Sequence, residues 1–109
     1  MKSVSEISHL PEVDEDGLLV DSSQWNEEVA EDMAEQLNIQ LGAEHWVAIY
    51  ALRNYYTRFG VAPAMSNICR DSGKQKDWIH NLFESCLNAW RVAGLSNPGE
   101  EAKTYMNDM

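Results

Sequence analysis

Residues 79–93 read Ile79-His80-Asn81-Leu82-Phe83-Glu84-Ser85-Cys86-Leu87-Asn88-Ala89-Trp90-Arg91-Val92-Ala93. Ile79, Leu82, Phe83, Cys86, Leu87, Trp90 and Ala93 recur at the three- and four-residue steps that line one face of an α-helix. No Pro or Gly interrupts residues 74–93. The spacing therefore predicts one continuous helix from about Lys76 to Ala93, closed by Gly94 as its C′ residue. It is the strongest periodic signal in the chain, and it points to a mostly α fold.

Outward from it, the other elements are also helical. Asp21-Ser22-Ser23 offers N-cap oxygens, and Glu27 and Glu28 suit the positive end of a helix dipole. Trp25, Val29, Met33 and Leu37 recur every four residues opposite a face of Glu27, Glu28, Glu31, Asp32 and Glu35, so a first helix is expected over about 23–37. A second, over about 43–59, is apolar around much of its surface and reads as the central helix. Gly60 ends it, and Val61-Ala62-Pro63 is extended because the residue before Pro avoids the helical region. Pro63 suits the first turn of a short third helix with Ala64, Met65, Ile68 and Cys69 on one face, ending near Ser72-Gly73. Near the N-terminus, Val13 and Leu18-Leu19-Val20 flank Asp14-Glu15-Asp16-Gly17, the pattern of a small β-hairpin. Pro98-Gly99 starts a polar tail in which Ala102, Tyr105 and Met106 are spaced to form a turn of helix.

The 109 residues suggest one domain. The expected organisation is a loosely ordered N-terminus over 1–11, a helical domain over 12–95 and a C-terminal tail over 96–109. No apolar run approaches the roughly 20 residues of a membrane span, and residues 1–10 lack the apolar stretch of a signal peptide. A cytoplasmic protein with its two cysteines, Cys69 and Cys86, as thiols is expected. The net charge of −10 is uneven: residues 1–45 hold twelve acidic side chains against one lysine, and residues 46–109 hold seven basic against six acidic. Such a chain is repelled by nucleic acid phosphates and favours basic protein partners.

Several stretches resemble the DsrC/TusE family of sulfur-relay proteins. They are Asp14-Glu15-Asp16-Gly17-Leu18-Leu19-Val20 with Trp25-Asn26-Glu27-Glu28-Val29-Ala30, then Glu44-His45-Trp46 with Leu52-Arg53-Asn54-Tyr55-Tyr56. Phe59-Gly60-Val61-Ala62-Pro63-Ala64, Leu82-Phe83 and Ala93-Gly94-Leu95 complete the likeness, in the family's order. The resemblance implies a small orthogonal helical bundle with an N-terminal hairpin. It also implies a mobile C-terminal arm that inserts into partner proteins and carries sulfur on a cysteine next to its end. The family serves dissimilatory sulfur metabolism or the relay that thiolates tRNA.

This chain departs from that pattern at its reactive atom. Aligned through Ala93-Gly94-Leu95-Ser96-Asn97-Pro98, the carrier cysteine falls on Glu101, and a carboxylate forms neither a persulfide nor a disulfide. Trp90 stands where some members have a second arm cysteine. The segment from Ala64 to Leu82 is short, and Glu84-Ser85-Cys86 replaces the Pro- and Gly-containing break that follows the family's Leu-Phe pair.

Sulfur relay needs an exposed thiolate of low pKa. Cys69, beside Met65 and Ile68, and Cys86, within the apolar stripe, both read as core thiols. Arg70 and Lys74 keep a relocated carrier at Cys69 in play. His9, His45 and His80 are far apart, and no Cys or His stands at metal-ligand spacing, so no metal site is expected. Gly17 at the sixth position of a calcium loop would put Ser23 where the bidentate acid belongs, which excludes that reading. No cofactor motif is present. The expected function is therefore a non-carrier homologue that docks on a sulfurtransferase or a sulfite-reductase-like partner. It acts through Trp90, Arg91, Leu95, Pro98 and Glu101, with no catalytic residue and as a monomer or homodimer. The alternatives are a carrier using Cys69, and a transcriptional regulator using the third and fourth helices as a helix-turn-helix, with Arg70, Lys74 and Lys76 diluted by Asp71 and Asp77.

Overall fold

The computed structural model describes residues 11–107. The expected loose segment 1–11 and His9 lie outside these residues, apart from Pro11. From Pro11 the chain enters a tight turn built by one side chain. Asp14 Oδ1 accepts the backbone N–H groups of Asp16 (2.8 Å) and Leu18 (3.0 Å), while Gly17 takes the left-handed conformation the turn requires (φ 80°). The expected β-hairpin is corrected here. It reduces to a single antiparallel bridge between Val13 and Leu19, and no strand forms among the described residues. The Asp14 carboxylate takes up the N–H groups that a longer ladder would use, and Leu18 and Leu19 turn into the core.

A 3-10 turn, Ser22–Gln24, leads to α1 (Glu27–Gln36). This helix starts later than its apolar stripe suggests, because Asn26 is the better placed cap: its Oδ1 accepts the N–H of Val29 at 2.8 Å. Val29, Ala30, Met33 and Ala34 are its buried side. The second helix, α2 (Ala43–Phe59), has the expected bounds and closes on Gly60 in the left-handed conformation. Its start is fastened by His45. Nδ1 of that ring accepts the N–H of Gly42 (3.1 Å), so Nε2 carries the proton and donates to the Leu82 carbonyl (2.9 Å). The third helix, α3 (Met65–Asp71), follows Pro63.

The long helix expected over 76–93 is broken. It is two helices, α4 (Trp78–Phe83) and α5 (Cys86–Val92). Glu84 adopts a left-handed conformation (φ 71°) and its N–H closes on the His80 carbonyl at 2.7 Å. Ser85 then caps α5 by accepting the Asn88 N–H (3.1 Å), and the Asn88 side chain donates to the Phe83 carbonyl (3.0 Å). Three polar interactions thus end one helix and begin the next at the place where the sequence shows neither Pro nor Gly. The apolar period runs through the break undisturbed, since Phe83, Cys86 and Leu87 are all buried.

The chain ends in α6 (Glu100–Asn107). α5 is the hub, packing against α1, α2, α4 and α6, while α2 packs on α4 and α5. The central position expected for α2 therefore belongs to α5. The architecture is a mostly helical bundle around Trp90, Phe83, Ile49, Leu52, Ile79 and Met65, all fully buried.

Candidate functional site

The C-terminal segment begins where α5 runs out of hydrogen-bond partners. The last carbonyls of a helix need donors from elsewhere. Here Trp25 Nε1 donates to the Val92 carbonyl (2.9 Å) and Arg53 Nη1 to the Ala93 carbonyl (2.6 Å). The Arg53 guanidinium also lies 4.0 Å above the centre of the Trp25 ring, a cation–π contact. Gly94 follows with φ 71° and the Trp25 side chain directly against it. The chain then folds back so that Trp90 Nε1 donates to the Ser96 carbonyl at 2.8 Å.

The residues expected to dock a partner are divided by this arrangement. Trp90 is fully buried, edge-on to Tyr56 with ring centres 5.6 Å apart, and Leu95 is buried beside it. Arg91 is half-buried and spends its Nε on the Asp16 carbonyl (2.7 Å) and its Nη1 on Asn88 Oδ1 (2.6 Å). Pro98 is half-buried, and Glu101 is exposed on the first turn of α6. Trp90 and Leu95 hold the segment from inside, and Pro98 and Glu101 face outward.

Both thiols are inaccessible and unbonded to each other. Cys69 has no exposed surface and Cys86 has 2%. Burial pushes the Cys86 thiol up to about 11, and the nearby Cys69 adds to this. At neutral pH Cys86 is thus almost wholly protonated, whereas the thiolate is the form that attacks a persulfide. No group of three or more His, Cys, Asp or Glu side chains among the described residues stands close enough to hold a metal ion. A cavity of about 450 Å³ lies between Val13, Leu19, Met33, Leu37 and Arg91, and no cysteine lines it.

The basic residues of the helix-turn-helix alternative are neutralised or dispersed. Arg70 pairs with Asp71 (3.6 Å) and Lys74 with Glu44 (3.6 Å). The helices themselves, of seven and six residues, are short. No helix among the described residues is long and apolar enough to cross a membrane.

Residues 8–100 match the family described as DsrC like protein. The chain belongs to the DsrC family. The sulfurtransferase TusE homolog of Haemophilus influenzae is 31% identical over 99 residues, which span 82% of this chain and 90% of that protein. Sulfurtransferase TusE of Escherichia coli (strain K12) is 32% identical over 96 residues, spanning 80% and 88%. Among solved structures, the oxidised gamma subunit of the dissimilatory sulfite reductase (DsrC) from Archaeoglobus fulgidus superposes with a TM-score of 0.75 at 34% identity, covering 83% of this chain and 90% of that one. The family match stops one residue short of Glu101. From Glu101 onward, α6 lies outside the matched residues.

Sequence reasoning passed over three residues that shape this site. Trp25 and Arg53 were legible only as parts of apolar or aromatic helix faces. Lys103, in the polar tail, makes two ion pairs (2.6 Å to Asp16, 2.9 Å to Glu100). The pair with Glu100 has the three-residue spacing a sequence can show. The pair with Asp16 has no local signal.

Proposed function

We propose that this DsrC-family protein is a non-carrier member of a sulfur relay, a binding or regulatory partner that docks on a sulfurtransferase or a sulfite-reductase-like protein without accepting sulfur. The observation that carries the reading is that neither of the chain's two cysteines is exposed, and the position aligned with the carrier is Glu101. A relay thiol must meet the persulfide of its donor, so a thiol with no exposed surface cannot serve without unfolding its surroundings. The same burial weighs against a carrier role for Cys69. The neutralised basic cluster weighs against a DNA reader.

Docking would use the outward side of the C-terminal segment, with Pro98 and Glu101 in contact and Arg91 at the edge. Trp90 and Leu95 would act by keeping that segment in place. The acidic N-terminal half favours a partner with a basic docking surface. Calorimetric titration with a TusE-binding sulfurtransferase and, separately, with a dissimilatory sulfite reductase tests this. One of them is expected to bind, and Glu101→Lys is expected to weaken that binding roughly tenfold. Binding by neither protein, or an affinity untouched by Glu101→Lys, would count against docking through this segment.

A further inference from the structure

Val13, Leu19, Met33 and Leu37 wall the cavity of about 450 Å³ between the Asp14–Gly17 turn and α1. Its size lies within the ~300–1,000 Å³ typical of binding pockets. The walls are apolar but not sealed. Leu19 and Met33 are buried, whereas Val13 at the mouth is 45% exposed. The surroundings are anionic. Every lining residue except Arg91 comes from residues 11–41, a stretch with ten carboxylates and no Lys, Arg or His. Glu15 and Asp16 line the cavity itself. The Arg91 guanidinium is turned to the protein, with Nε on the Asp16 carbonyl and Nη1 on Asn88 Oδ1.

We infer that this cavity seats one bulky apolar side chain of a basic protein segment. The apolar walls take the anchor, and Lys or Arg residues on either side of it meet Glu15 and the neighbouring carboxylates of the turn. Charge complementarity selects this occupant. A second copy of the chain brings a net charge of −10 and is repelled. The ten residues before Pro11 hold one lysine and one glutamate and bring no net positive charge. A neutral small molecule fills the walls but leaves the acidic rim unused. The inference rests on the reading of this chain as a protein that binds a protein partner, and it adds a contact apart from Pro98 and Glu101.

NMR titration of the full-length protein, labelled at its methionine methyl groups, tests it. The probe is a short capped peptide with one phenylalanine flanked on both sides by lysines. The Met33 methyl is expected to shift, while that of Met65, fully buried in α3, stays in place. Replacing the phenylalanine of the peptide by alanine should weaken binding about tenfold or more, the worth of burying one aromatic side chain. Raising NaCl from about 50 to 500 mM should weaken it severalfold, and the same peptide with glutamates for lysines should not bind. Val13→Lys charges the mouth at an exposed position and should weaken binding about tenfold, with the thermal unfolding of the variant as the check on its fold. No shift at Met33, equal binding of the alanine or glutamate peptide, or an unaffected Val13→Lys protein would overturn the inference. A Met33 methyl that moves with protein concentration alone would give the cavity to a second copy, one that moves on Leu10→Ser would give it to the chain's own first residues, and phenol binding as tightly as the peptide would give it to a small molecule; each overturns the inference. Titration with whole proteins reads docking and this titration reads the cavity alone, so the failure of one is distinct from the failure of the other.

Discussion

Gly94→Ala is expected to cost more stability than any other single methyl added to this chain. A Cβ at position 94 would lie 2.8 Å from the Trp25 Cβ and closer still to the indole Cγ and Cδ1. Trp25 is held in place, because its Nε1 donates to the Val92 carbonyl and the Arg53 guanidinium lies 4.0 Å from its ring centre. The backbone adds a second penalty, since φ is 71° at this position and the left-handed region costs an L-residue about 1–2 kcal/mol. Forced overpacking adds about 1–3 kcal/mol. The expected loss in urea denaturation is therefore about 2–5 kcal/mol, a large part of the ~5–15 kcal/mol that holds a small domain together. Gly73→Ala separates the two penalties. Gly73 has φ 74° with nothing within 4 Å of its would-be Cβ, so it should lose only about 1–2 kcal/mol. Equal losses at the two positions would show that Trp25 does not press on Gly94.

Trp90→Ala is the second large effect, and it distinguishes packing from docking. Trp90 is fully buried, meets Tyr56 edge-on and donates to the Ser96 carbonyl. Truncating a buried tryptophan removes about 3–5 kcal/mol through lost burial and the cavity left behind. The Ser96 carbonyl would also lose its donor, loosening the turn into the C-terminal segment. Thermal and urea unfolding should both show the loss. A Trp90→Ala protein of unchanged stability that had lost partner binding would return Trp90 to the docking surface and contradict its place in the core.

The two variants mark where the sequence was legible and where it was not. The bounds of α2 followed from its apolar content and from Gly60, because a C′ glycine is a local signal. The stripe from Ile79 to Ala93 was also legible as a buried face. Its continuity was not, because a left-handed Glu84 is unusual for a non-glycine residue. Ser85 with Asn88 was the available hint: a cap residue and an amide three positions on, hidden inside an apolar period that spans the break. The Asp-Gly turn was legible as a turn, but its sequence does not say that Asp14 will bind the N–H groups itself and stop the ladder at one bridge. Burial of Trp90 against exposure of Glu101 depends on how the chain folds back after Gly94. The Asp16–Lys103 pair, 87 residues apart, has no local trace. The family was legible from ordered short stretches. The expectation that Glu101 stands at the carrier position rests on one alignment through Ala93–Pro98. What occupies the C-terminal segment instead required the fold.

The central claim is that this DsrC-family chain takes part in sulfur relay without carrying sulfur. Intact-mass spectrometry after incubation with a persulfide-loaded sulfurtransferase tests it most directly, with Cys69→Ser and Cys86→Ser alongside and a cysteine-bearing family member as the positive control. The account predicts that the control gains one sulfur while this protein keeps its unmodified mass, because both of its thiols are buried and Cys86 is protonated at neutral pH. A one-sulfur adduct on the folded wild type that disappears in one of the two serine variants would contradict the account and identify the carrier thiol.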